Sequence, residues 1–139
     1  MVMRVYATEA DYNAVAEDAW DGDAGMLTKR LRAASIEVEK LTRLSRYDTD
    51  DDGFPTDTDV ADAFAEATCA IVEHWQDTGD PRGTDAAQGA VKILSVSLGT
   101  TSSNNDARSE YDKLVARIGD RAIDVLKNAG LISAVVAHR

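Results

Sequence analysis

Two stretches of this chain repeat their apolar residues at helical spacing, and an aspartate-rich run separates them. Leu27, Leu31, Ala34, Val38, Leu41 and Leu44 recur at steps of four and three. That spacing gathers them on one side of a helix. Val60, Phe64, Ala67, Ile71 and Trp75 form a second stripe, flanked by Ala63, Cys69 and Val72. Two such faces need each other, or a third helix, to leave water, so the chain is bound to helix-on-helix packing. Lys29, Arg30, Arg32, Glu37, Glu39, Lys40 and Arg43 occupy the other sides of the first stripe. Glu39 and Arg43 have the i,i+4 spacing of a favourable helical ion pair.

The flanking sequence extends the pattern to four helices, about 9–19, 24–46, 58–77 and 106–128. Thr8 followed by Asp11 fits a capping box at the first, which should end before Asp21-Gly22-Asp23. The third stops at the breaker cluster Asp77-Thr78-Gly79-Asp80-Pro81. His74, near that end, is expected to favour the helix dipole rather than to bind a metal. The fourth carries Tyr111, Leu114, Val115, Ile118, Ala122, Val125 and Leu126, and Asn128-Ala129-Gly130 supplies its stop. Residues 78–105 differ. Val91–Leu98, within AVKILSVSL, reads as a strand. A single strand leaves its backbone groups unpaired, so it needs either a hairpin with residues 84–90 or another chain. Beyond the last helix, Leu131, Ile132, Val135 and Val136 follow the natural end of the core, a tail that is either frayed or a docking segment. The expectation is an all-α domain over 1–139: a small four-helix domain with a short β-strand or hairpin loop between its last two helices.

Charge narrows the classes of function. The net charge is −10, and it is uneven. Residues 1–80 hold 19 acids and 7 bases, whereas residues 81–139 hold 6 acids and 8 bases. Binding to nucleic-acid phosphates needs clustered Lys and Arg, so the acidic balance argues against it. The asymmetry suggests two surfaces that meet different partners, and a merely solvated acidic surface fits the charge at least as well. No apolar run approaches a membrane span, and the first residues lack the apolar stretch of a secretory signal, so a soluble chain made in the cytoplasm is expected. One cysteine, Cys69, excludes an internal disulfide; set in an apolar pattern, it reads as an inert core thiol. Two histidines, no C-x-x-C, no H-E-x-x-H and no phosphate loop leave catalysis without support, so no enzyme and no cofactor are expected.

The run DTDDDGFPTDTD, residues 48–59, matches a calcium loop on paper. Asp48, Asp50 and Asp52 would be ligands, Phe54 would offer a carbonyl, and Asp59 would stand at the twelfth position. Pro55 counts against it, because the eighth residue of such a loop donates its N–H to a second loop and proline has none. Asp59 is a methylene shorter than the usual glutamate, and the second loop is missing. The competing reading is an acidic turn in which Asp57 or Asp59 caps the next helix. The residues favour the turn.

Taken in order, the stretches MRVYATEADY, YDTDDDGFPTDTDVADAFAEATCAIVEHWQDTGD (Tyr47–Asp80), ILSVSLG and DRAIDVLKNAGLIS resemble the head-to-tail connector, or adaptor, proteins of long-tailed bacteriophages. The resemblance covers nearly the whole chain; the order and spacing of its motifs carry it. It implies a virion protein of the head–tail neck, assembled in the host cytoplasm as a ring, usually of twelve copies, beneath the portal. DNA would pass along the ring's channel without sequence-specific contact. The next neck or tail-completion protein would lie below. The C-terminal segment, Leu131, Ile132, Val135 and Val136 with His138 and Arg139, would dock into the portal. Val91, Lys92, Ile93, Leu94, Val96 and Leu98 would serve as an inter-subunit or channel-side element. The polar run TTSSNN, residues 100–105, departs from that pattern. A calcium-binding helix–loop–helix protein is the alternative.

Overall fold

A computed structural model describes residues 4–79 and 103–132, with residues 103–110 described as backbone only. Five helices account for most of them: α1 (Glu9–Val15), α2 (Ala24–Leu41), α3 (Thr58–Thr78), α4 (Ser103–Ile118) and α5 (Asp120–Asn128). The long helix α3 is the hub, packing against each of the other four. Its sequence explains this. From Ala67 to Val72 every side chain is buried, so the apolar surface runs around the helix instead of along one stripe. A helix buried on all sides must be central.

The starts of α1, α2 and α3 are each fixed by a side chain. Thr8 and Asp11 form the capping box of α1, each accepting from the other's backbone N–H. Asp23 caps α2 by accepting from the Met26 N–H, and Asp57 caps α3 by accepting from the N–H groups of Asp59 and Val60. These carboxylates satisfy amide donors that the first helical turn leaves without partners.

Two helices end earlier than the sequence spacing predicts. α1 stops at Ala16, because the chain turns back and Trp20 stacks edge-on against Tyr12 at 5.9 Å between ring centroids. α2 stops at Thr42, whose hydroxyl bonds the Val38 carbonyl at 2.9 Å. Leu44 therefore leaves the stripe and is 95% exposed. Tyr47 packs edge-on against Phe64 at 5.2 Å instead. The early end also takes Arg43 off the helix, and Glu39 pairs with Arg4 at 2.8 Å instead.

The single helix expected over 106–128 is two. Gly119, with φ +85°, breaks it. The break turns the second segment, so that Ile123, absent from the predicted face, is fully buried while Val125 is only partly so. The kink is held from α3. His74 Nε2 bonds the Ala116 carbonyl at 3.0 Å, and Trp75 Nε1 donates to the Arg117 carbonyl at 2.7 Å. Both oxygens lie in the last turn of α4, where carbonyls lack helical partners. His74 thus serves the end of α4, not the dipole of its own helix.

The close of α5 corrects a further expectation. The N–H of Gly130 donates to the Lys127 carbonyl at 3.0 Å and that of Leu131 to the Leu126 carbonyl at 2.9 Å. With Gly130 at φ +75°, this is a Schellman ending, which brings the residue after the glycine back onto the helix. Leu131 and Ile132 are accordingly part of the hydrophobic core, not a tail beyond it. Val135, Val136, His138 and Arg139 lie outside the described residues, as do the expected strand Val91–Leu98 and residues 84–90. Among the described residues the only β pairing is an isolated bridge between Thr49 and Pro55.

Candidate functional site

The aspartate-rich run folds as a small hairpin closed by its own carboxylate. Asp50 Oδ1 accepts from the N–H groups of Asp52 at 2.9 Å and Phe54 at 3.0 Å. The Asp50 N–H donates to the Phe54 carbonyl at 2.9 Å, and the Thr56 N–H to the Asp48 carbonyl at 3.0 Å. Aspartate is suited to such a turn because its short side chain reaches the backbone two residues on. Phe54, the proposed carbonyl ligand, packs its ring edge-on against Tyr6 at 5.7 Å. Asp59 lies in the first turn of α3, where the helix N-terminus favours a negative charge. Among the described residues no three His, Cys, Asp or Glu side chains are placed to hold a metal ion.

A network from the N-terminal segment ties this hairpin to α2. Arg4 Nε meets Glu39 Oε2 at 2.8 Å, and its terminal nitrogen donates to the Asp52 carbonyl at 3.3 Å. The guanidinium lies so close to Gly53 that a Cβ there would sit 2.6 Å from it. Tyr6 donates its hydroxyl to the same Glu39 oxygen at 2.8 Å, and its N–H to Ser35 Oγ at 3.1 Å. Burial, then the hydrogen bond to Glu39, pushes the Tyr6 hydroxyl well above its ordinary pKa. The hydrogen bond to Glu39 also raises Arg4. The Tyr6 ring bridges to the core, 4.8 Å from that of Phe64. Around these groups lies an open cleft of about 390 Å³, also bordered by Lys40, Arg43 and Tyr47. Periodicity did not single out Arg4, Tyr6 or Ser35. The alternation of Arg4 and Tyr6 ahead of the first helix cap was the signal that could have found them.

Comparison of the chain with models of known protein families, with characterised proteins and with solved structures found no match.

Surface charge is sorted by element. Residues 24–46, α2 and the turn after it, hold six bases and two acids. Residues 47–79, the hairpin and α3, hold ten acids and neither Lys nor Arg. Both acids of the α2 segment are engaged within the chain. Glu37 pairs with Arg117 at 3.0 Å and Lys40 at 3.8 Å, and Glu39 with Arg4. Lys29, Arg43 and Arg46 are exposed and have no ion-pair partner among the described residues. Met26, Ile36 and Leu44 are the exposed large apolar side chains there, and all belong to this same segment. A groove of about 700 Å³ opens beside it, walled by Lys40, Arg43 and Arg46 and floored by Leu131 and Ile132.

Cys69 is buried, and burial pushes its thiol up to about 12, so it is held as the neutral, unreactive form. No helix among the described residues is long and apolar enough to cross a membrane.

Proposed function

We propose that this chain is a structural protein of a bacteriophage virion, a head-to-tail connector that forms a ring beneath the portal and extends the DNA channel toward the tail. One observation carries the reading beyond the likeness of its motifs. Three of the four stretches that resemble the connector proteins pack on one another. Tyr6 of the first stretch meets Phe54 and Phe64 of the second, and Arg4 sits over Gly53. The last stretch forms α5 and its Schellman ending against α3. The motif order is thus the order of one folded unit.

The charge distribution suits a conduit. A wall rich in carboxylates repels phosphates and lets DNA slide, whereas a basic wall would hold it. The portal above, the next neck protein below and a ring of usually twelve copies are the partners this reading requires. Cryo-electron microscopy of particles carrying the protein tests it. A ring of this chain under the portal, with axial density through it, is the expected image. Particles that are complete without the protein would refute the reading.

A further inference from the structure

The outer face of α2 is unusual for a protein of charge −10. Leu27, Leu31 and Val38 point into the core. At 3.6 residues per turn, Lys29, Ile36 and Lys40 lie roughly 180° away, with Met26 and Ala33 beside them. No acid sits on that face. Glu37 and Glu39 flank it, and each is held by an arginine of another segment. What remains outward is a stripe that is both basic and apolar, continued past the helix by Arg43 and the fully exposed Leu44.

The opposite flank has the opposite charge. α2 lies along the Phe64–Trp75 side of α3: Arg30 donates to Gln76 at 3.0 Å, and Trp75 borders the same cleft as Met26 and Ala33. Asp59 and Asp62 lie roughly 140–160° around α3 from Phe64. Both are exposed, and neither has a basic partner among the described residues. The helix pair therefore carries bases on one side and acids on the other, near the same end.

We infer that the outer face of α2 docks a second copy of this chain, Lys40 and Arg43 of one copy meeting Asp59 and Asp62 of the next. Two basic faces brought together would repel, which excludes a two-fold contact there. Unlike faces on opposite flanks give a heterologous contact, and repeated copies close into a ring or run on as a filament. Met26, Ile36 and Leu44 supply the apolar area that charge alone does not. The inference rests on the connector reading for ring closure, and on the charge map for the contact itself.

Reciprocal charge reversal tests it. Sedimentation equilibrium in about 0.1 M salt, where surface charges still act at contact range, would compare the wild type with Lys40→Glu/Arg43→Glu and with Asp59→Lys/Asp62→Lys. The wild type should self-associate. Each reversed protein alone should lose about tenfold or more in affinity, since each then sets like charge against like. An equimolar mixture of the two should recover association, because both contacts between unlike variants are attractive, one of them the native pairing and the other its reverse. Far-ultraviolet circular dichroism checks that each protein is folded. Should either fail, Lys40→Gln/Arg43→Gln and Asp59→Asn/Asp62→Asn replace it and should weaken association less. A wild type that stays monomeric, variants that associate unchanged, or a mixture no better than its parts would each overturn the inference. The two readings fail separately. Reciprocal rescue by a chain absent from particles keeps the contact and removes the connector. A ring in particles built through other faces does the reverse.

Discussion

Gly119→Ala is the sharpest test of how the last two helices are joined. Gly119 has φ +85° and ψ 159°, a combination that residues with a Cβ rarely adopt. Strain of that kind costs about 1–3 kcal/mol. A Cβ would also sit 3.0 Å from His74 Nδ1 and 3.1 Å from its Cγ. Both are ring atoms near the backbone, so the imidazole must rotate away and release the Ala116 carbonyl, a loss of about 0.5–1.5 kcal/mol. The sum is roughly 1.5–4.5 kcal/mol. Gly130→Ala is the control. It too has a positive φ, but nothing lies within 4 Å of its Cβ position, so it should cost only about 1 kcal/mol. Urea unfolding followed by circular dichroism and by Trp fluorescence gives both values. His74→Ala separates the terms: in the Gly119→Ala background it should cost less than in the wild type, because the bond is already broken. Equal costs for the two glycine variants, with no coupling to His74, would mean that the kink is not held as described.

Three other outcomes follow from the core and the hairpin. Removing residues 130–139 takes Leu131 and Ile132 from the core and should cost at least about 2–5 kcal/mol; a urea stability unchanged by that truncation would contradict their burial. Cys69 and Tyr12 are both raised to about 12, chiefly by burial, from ordinary values of 9.0 and 10.0. Their neutral forms are favoured in the fold, so this stability is complete below pH 9 and is lost as pH rises toward 12. A urea midpoint that holds steady across that window would be the wrong result, and Cys69→Ala should delay its fall. Asp52→Asn should change the melting temperature by little, with or without calcium, because the hairpin is closed by Asp50; a calcium-dependent stabilisation lost in the variant would revive the metal-loop reading.

The parts of the fold that were legible in sequence were those governed by local chemistry. Thr8 and Asp57 cap helices as their side chains dictate, and the stripe from Phe64 to Trp75 is the buried spine of α3. The failures came where distant contacts decide. Nothing near Leu44 in sequence reveals that Tyr47 takes the place beside Phe64. The Gly119 break is stabilised by His74 and Trp75, more than forty residues away. Leu131 looked like a tail because it follows a stop signal, yet the stop is the device that returns it to the core. At the candidate surface, the overall charge asymmetry was legible. Its division between α2 and α3 required knowing which acids Arg4 and Arg117 neutralise.

That division also sets how self-association must respond to salt. Under the inferred contact, two copies of charge −10 repel as wholes while attracting at one face. A compact chain of this length has a diameter of roughly 37 Å. At that separation the net charges repel by roughly 11 kcal/mol in water without salt. Screening reduces this to roughly 3 kcal/mol at 0.01 M and about 0.1 kcal/mol at 0.15 M ionic strength. The attraction between Lys40 or Arg43 and Asp59 or Asp62 acts over a few ångströms, well inside the roughly 8 Å screening length at 0.15 M. It survives there and weakens near 1 M, where the length is about 3 Å. Association should therefore pass through a maximum at intermediate ionic strength. A steady rise with salt would assign the contact to Met26, Ile36 and Leu44 alone, and a steady fall from 0.01 M would show that net repulsion is not felt. Only the maximum requires both an acidic whole and a basic face.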